Sequence, residues 1–171
     1  MNIKLNDGVT REFQQGTAPL EMARELDGEL YKNALAAQVD GKLCSLYSPV
    51  ESDCEVKILT FEDEGGRWVL RHTASHVMAQ AVKRLFPEVK LAIGPATENG
   101  FYYDFDSERT FSQEDFAAIE KEMTRISREN LRLERFELPR EEAIRFMEER
   151  GEPYKVEIIR DLPEDAVISF Y

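Results

Sequence analysis

His72 and His76 are the only histidines in the 171-residue chain, and they stand four residues apart in Arg71-His72-Thr73-Ala74-Ser75-His76. Residues at i and i+4 of a helix are neighbours on one face, so two imidazoles at this spacing can act together on one small group. At about 100° per residue, with His72 set at zero, Ala74, Val77, Met78, Ala81, Val82 and Leu85 form an apolar face centred at about 200°. His76 falls at about 40°, on a side shared with Ala79, Gln80 and Lys83. The pair is therefore off the expected core stripe and faces either solvent or a cleft. Thr73 stands where an H-E-x-x-H motif needs its Glu, which removes zinc-protease chemistry. A metal bound here would need carboxylates as further ligands, because no other His, and no Cys beyond Cys54, is present. A solvated pair, a catalytic cleft and a metal site all remain open on spacing alone.

Two further patterns could carry chemistry. Gly94-Pro95 and Asn99-Gly100 permit close backbone approach around a ligand, although each also reads as simple turn punctuation. On the segment after Ser112, Phe116, Ile119, Met123, Ile126 and Leu133 share one helical face. Lys121, Arg125, Arg128, Arg132 and Arg135 occupy the opposite band, as either a phosphate-binding stripe or a solvated face with i, i+4 ion pairs. The net charge of −12 argues against a free-standing nucleic-acid binder. Up to Glu64 the chain holds 6 basic and 13 acidic residues, and after it 16 and 21, so a local basic patch fits better in the second part. Cys44 and Cys54 fit no common metal motif and read as half-buried or core thiols. No signal core and no apolar run long enough for a membrane span are present, so a cytoplasmic protein without a membrane partner is expected.

The elements that must position these residues divide in two. Ile3–Leu5 and Val9–Phe13 flank Asp7-Gly8, a hairpin signal, and Leu35–Val39 and Leu43–Leu46 flank Asp40-Gly41, a second. Thr17 offers a cap and Pro19 a first turn for a short helix through Leu26, striped by Leu20, Ala23 and Leu26. Cys54–Leu59 alternates as a closing strand. The pattern predicts a small β-grasp, ubiquitin-like domain over 1–61, with acidic, glycine-paired residues 62–66 as a linker. Beyond it, an α+β domain over 67–171 is expected. It has a helix over Trp68–Phe86, a short strand at Leu91–Ile93 and a strand over Phe101–Asp106. Helices follow from Ser112 to about Phe136, with Phe111 stapled onto Phe116, and from Pro139 to Gly151. Strands over Tyr154–Ile159 and Ala166–Tyr171 close the pattern, the last one open-ended.

The order of these pieces, with RHTASH, LAIGP, NGFYYDFD, YKVEIIRDLP and the final ISFY, resembles the N-terminal region of bacterial threonyl-tRNA synthetases. The first domain is similar to the TGS domain, and the second to an editing domain that is incomplete at its C-terminus. In this family the editing domain hydrolyses serine from misacylated threonine tRNA. The resemblance implies that His72 and His76 contact the terminal ribose or polarise the ester, and that Lys155 places or activates water. Tyr103, with Gly94, Pro95 and Asn99, would line the substrate pocket. Arg125, Arg128, Arg132 and Lys83 are candidate tRNA contacts. It implies no metal or cofactor in these residues, with ATP and zinc belonging to the separate catalytic domain. The acceptor end of tRNA(Thr) and the other domains of a homodimeric synthetase are the implied partners. The family completes this site with an Asp, a Cys and a third His that these residues do not supply, so weak activity is expected of this stretch alone. A zinc-dependent, alanyl-type editing protein and a non-catalytic RNA-binding TGS module are the alternative readings.

Overall fold

The computed structural model describes residues 1–171 and divides into two compact units, Met1–Thr73 and Ala74–Tyr171. In the first unit, β1 (Asn2–Lys4) and β2 (Thr10–Glu12) form the expected hairpin. Gly8 takes φ 77° in the turn, and Asp7 accepts the Val9 amide at 3.0 Å while pairing with Arg11 at 2.7 Å. Next come α1 (Pro19–Leu26) and α2 (Gly28–Asn33), then β3 (Ala36–Val39), β4 (Lys42–Cys44) and β5 (Cys54–Leu59). Asp40 and Gly41 both adopt positive φ, 47° and 77°, as a two-residue hairpin turn demands.

The sheet order is β2-β1-β5-β3-β4, with β1 and β5 parallel at its centre and the other pairs antiparallel. Met22 and Ala23 of α1 pack against Ile3, Val56 and Ile58 to form the core of the β-grasp. Two local expectations change. Thr17 donates its hydroxyl to the Gln14 carbonyl at 2.8 Å, and the Ala18 amide instead finds the Glu21 carboxylate at 3.3 Å. The helix α2, capped by the Asp27 side chain, lay in a stretch without apolar periodicity.

Of residues 62–66, expected as a linker, the last three already belong to a helix, α3 (Glu64–Leu85). A methyl on Gly66 would lie 1.9 Å from the Thr60 carbonyl oxygen, and one on Gly65 would lie 2.9 Å from Leu59 Cδ1. The glycine pair thus serves close packing at a helix start rather than freedom of the chain. Asp63 fixes the entry, accepting the Thr60 amide at 3.0 Å and pairing with Lys57 at 2.6 Å.

The second unit takes the remainder of α3 and adds β6 (Lys90–Leu91), β7 (Ala96–Thr97), β8 (Gly100–Phe101) and β9 (Phe105–Asp106). It continues with α4 (Gln113–Glu129), β10 (Phe136–Glu137), α5 (Arg140–Glu148), α6 (Pro153–Asp161) and β11 (Ser169–Phe170). Ala81, Val82 and Val89 meet Ile119 and Ile126 of α4 in one core; Ala143, Ile159 and Ile168 form another.

Four expectations are corrected here. Tyr154–Ile159 is helical: Pro153 starts α6, and Val156 and Ile159, one turn apart, are buried while Ile158 is exposed. The last strand shrinks to Ser169–Phe170, paired with Phe136–Glu137. The Ser112 helix ends at Glu129, where Asn130 takes a left-handed cap with φ 49°, so Arg132 and Leu133 lie beyond it. Phe111 packs edge-on against Phe86 and Phe105, at 5.6 and 6.0 Å, and leaves Phe116 exposed.

Candidate active site

The second unit brings four of its segments to one place. Ser75, fully buried on α3, donates its hydroxyl to the Gly94 carbonyl at 2.9 Å. The loop after β6 is laid against the chain before β9: the Ala92 amide reaches the Asp104 carbonyl at 3.0 Å, and the Asp104 amide the Ile93 carbonyl at 2.8 Å. This pairing sets the Tyr103 ring on the α-carbon of Gly94, where a methyl would lie 2.0 Å from Tyr103 Cδ2. The ring also stacks on Phe105, with centroids 4.9 Å apart. From α6, Lys155 donates to the Ala92 carbonyl at 2.7 Å and to the Tyr103 hydroxyl oxygen at 3.4 Å.

Burial governs the charges here. Desolvation lowers the Lys155 pKa below its ordinary value, opposed by the negative charge of Glu152. Desolvation raises the Tyr103 phenol, and Glu152 pushes it in the same direction. The arrangement is a half-buried amine, beside a phenol that keeps its proton, over a backbone cradle that excludes even a methyl group. Such an amine can bind a water or carbonyl oxygen as an ammonium, or take a proton once neutral.

Gly94, Tyr103 and Lys155 are thus brought together. Pro95 adjoins this group, its carbonyl facing the Tyr102 amide at 3.5 Å. Asn99 does not join it: it is exposed in the turn between β7 and β8. The histidines share α3 but fall in different units. His72, in the first, stacks on Trp68 with ring centroids 5.2 Å apart and planes 7° from parallel. His76, in the second, is exposed. No group of three His, Cys, Asp or Glu side chains is placed to hold a metal ion.

Two residues escaped the sequence reading. The expected apolar face of α3 does pack inward, with Ala81 and Val82 buried and Val77 and Met78 against the same core, but Ser75 and Ala79, on the side next to the histidines, are buried as well. Two small residues one turn apart, Ser75 and Ala79, were the available signal, and Ser75 meets the loop at the Gly94 carbonyl. Glu152, buried on the α6 cap, carried no sequence signal at all. Its carboxylate pairs with Lys83 at 2.9 Å and accepts the Leu91 amide at 3.0 Å. Lys83, expected at tRNA, is instead engaged internally, donating also to the Pro87 and Val89 carbonyls at 3.1 and 3.0 Å. Arg125 is held at 3.4 Å by both Glu122 and Glu129, and Arg128 is exposed.

Comparison with known proteins fits this architecture. Residues 1–60 match the TGS domain. The whole chain is 58% identical to threonine–tRNA ligase of Clostridium acetobutylicum and 58% identical to that of Acetivibrio thermocellus. It is 56% identical to the corresponding ligase of Clostridium botulinum. The chain spans about a quarter of the length of these relatives, 27% in each case. With a TGS domain at its start and unbroken similarity over all 171 residues, the chain matches the N-terminal region of bacterial threonine–tRNA ligases.

Proposed function

We propose that this chain is the N-terminal part of a threonine–tRNA ligase, and that its second unit serves hydrolytic removal of serine from misacylated tRNA(Thr). The physical need is plain. One methyl gives a binding pocket only about 1–3 kcal/mol of discrimination, so a second, hydrolytic sieve is required where greater accuracy is needed. The observation that supports the reading best is the Lys155 amine, partly withdrawn from water and 3.4 Å from the Tyr103 hydroxyl above Gly94.

In this reading Lys155 holds and deprotonates the attacking water, and Tyr103 with Gly94 limits the room for the amino-acid side chain. His76 orients the terminal ribose or polarises the ester, a role that the family resemblance also implies for His72. ATP-dependent ligation, its zinc and the homodimer interface belong to the remaining three quarters of the ligase, which works in the cytoplasm. The test is deacylation of seryl-tRNA(Thr) by the full-length ligase. Lys155→Ala should slow it by about a hundredfold, the scale of a lost general base, while threonylation continues. Wild-type deacylation rates in both Lys155→Ala and His72→Ala would overturn the assignment.

A further inference from the structure

Glu152 is 6% exposed, and both of its carboxylate oxygens are committed. Oε1 meets Lys83 of α3 at 2.9 Å, and Oε2 accepts the amide of Leu91 at 3.0 Å. The next residue, Ala92, supplies the carbonyl that receives the Lys155 amine at 2.7 Å. On its own element Glu152 precedes Lys155 by one helical turn, and the Lys155 amide donates to the Glu152 carbonyl at 3.1 Å. A buried carboxylate is retained only where it is paired and hydrogen-bonded, and here the pairing spans three segments.

We propose that Glu152, anchored by Lys83, is the positioning residue of Lys155: it fixes the β6 loop whose carbonyl receives the amine and keeps a negative charge beside it. The catalytic part of this inference rests on the hydrolytic reading above; the hold of Glu152 on Lys155 does not. The charged and titratable groups around the amine are few. Tyr103 faces it from the chain before β9, Glu152 from the α6 cap, and Lys83 lies behind Glu152 on α3. Further out, Tyr154 donates to Asp106 at 3.0 Å, and Asp106 lies 3.5 Å from Lys90, all at the surface. Glu152 is therefore the one anion buried beside the amine. Its charge favours the ammonium, working against desolvation, and Lys83 tempers that charge.

Two substitutions should act in opposite directions. Glu152→Gln keeps an oxygen for the Leu91 amide but removes the charge, so desolvation acts unopposed and Lys155 loses its proton at lower pH. Lys83→Met leaves the Glu152 charge untempered, so Lys155 keeps its proton to higher pH. The measurement is competitive acetylation of Lys155 in the full-length ligase across pH, read by mass spectrometry, with seryl-tRNA(Thr) deacylation profiled over the same range. The expected result is a reactivity midpoint that moves down in Glu152→Gln and up in Lys83→Met, with the Lys155-dependent limb of the deacylation profile following. A merely structural role would move both variants the same way or neither, and either outcome overturns the proposal. If the midpoints separate as expected but Lys155→Ala still deacylates at the wild-type rate, the hydrolytic reading fails and the hold of Glu152 on Lys155 stands.

Discussion

A methyl group on Gly94 would fall 2.0 Å from Tyr103 Cδ2, and the ring it meets is backed by Phe105 at 4.9 Å. The ring cannot yield without leaving its stack and its place beside Lys155. Gly94→Ala should therefore cost about 1–3 kcal/mol, as overpacking does, and reduce seryl-tRNA deacylation more than threonylation. Urea unfolding and the two rates check this, and unchanged stability would show that the loop can shift aside. Ser75→Ala tests the other side of the same cradle. It removes the donor to the Gly94 carbonyl in a fully buried position, with an expected loss of about 1 kcal/mol in the same unfolding experiment.

At the scale of elements, the neighbouring glycines at the start of α3 should behave differently. A methyl on Gly66 meets the Thr60 backbone, which cannot rotate away, whereas one on Gly65 meets only the far end of the Leu59 side chain. Gly66→Ala should lower the thermal midpoint clearly, and Gly65→Ala only slightly or not at all. Equal midpoints would mean that the α3 entry is looser than its geometry implies. These glycines also show where sequence reading stops. Gly-Gly after acidic residues has the same composition in a linker and in a tight helix entry, and only the packing partner distinguishes them. Tyr-Lys-Val-Glu-Ile-Ile is similarly two-valued. It alternates as a strand should, yet Val156 and Ile159 are one helical turn apart, and the Pro153 start decides for the helix. Asp7-Gly8 and Asp40-Gly41 were legible because the turn demands those residues locally. Lys155 and Tyr103 were legible only through family resemblance, since their meeting depends on chain 52 residues apart. Ser75 and Glu152 act through the loop they hold, and nothing local in the sequence marks that.

Over the whole molecule, charge sets two expectations. Asp7, Asp53, Asp63, Asp115 and Glu129 are held below the usual carboxylate range by hydrogen bonds, from Arg11, the Asn2 amide, Lys57, the Ser112 amide and Arg84 respectively. A depressed carboxylate stabilises the fold above its unfolded value, about 4, and this is lost as pH falls through the folded one. The thermal midpoint should hold between pH 7 and 5, where relief of the −12 net charge favours the compact state, and then fall below about pH 4. A midpoint still level at pH 3 would contradict the role given to these carboxylates. The second expectation concerns tRNA. Arg125 of α4 is paired with two glutamates and Lys83 of α3 is engaged internally, so the basic band of α4 is expected to behave as a solvated face. Arg128→Glu in the full-length ligase should leave tRNA affinity and its salt dependence unchanged; a salt slope reduced by about one would instead mark a phosphate contact.

The parallel pairing of β1 with β5 has a consequence in time. Ile3 lies beside Cys54, so the first sheet can close as soon as Leu59 has cleared the ribosome. Lys155 must reach back to Ala92, 63 residues away, and is itself made about a hundred residues after that sheet is complete. At the usual ~5–20 residues per second, on the order of five to twenty seconds separate the two events. For that interval a finished β-grasp leads a nascent chain in which the loop, the ring and the α3 serine await their lysine. Synthesis itself thus orders the assembly, with the β-grasp ahead of the candidate hydrolytic centre.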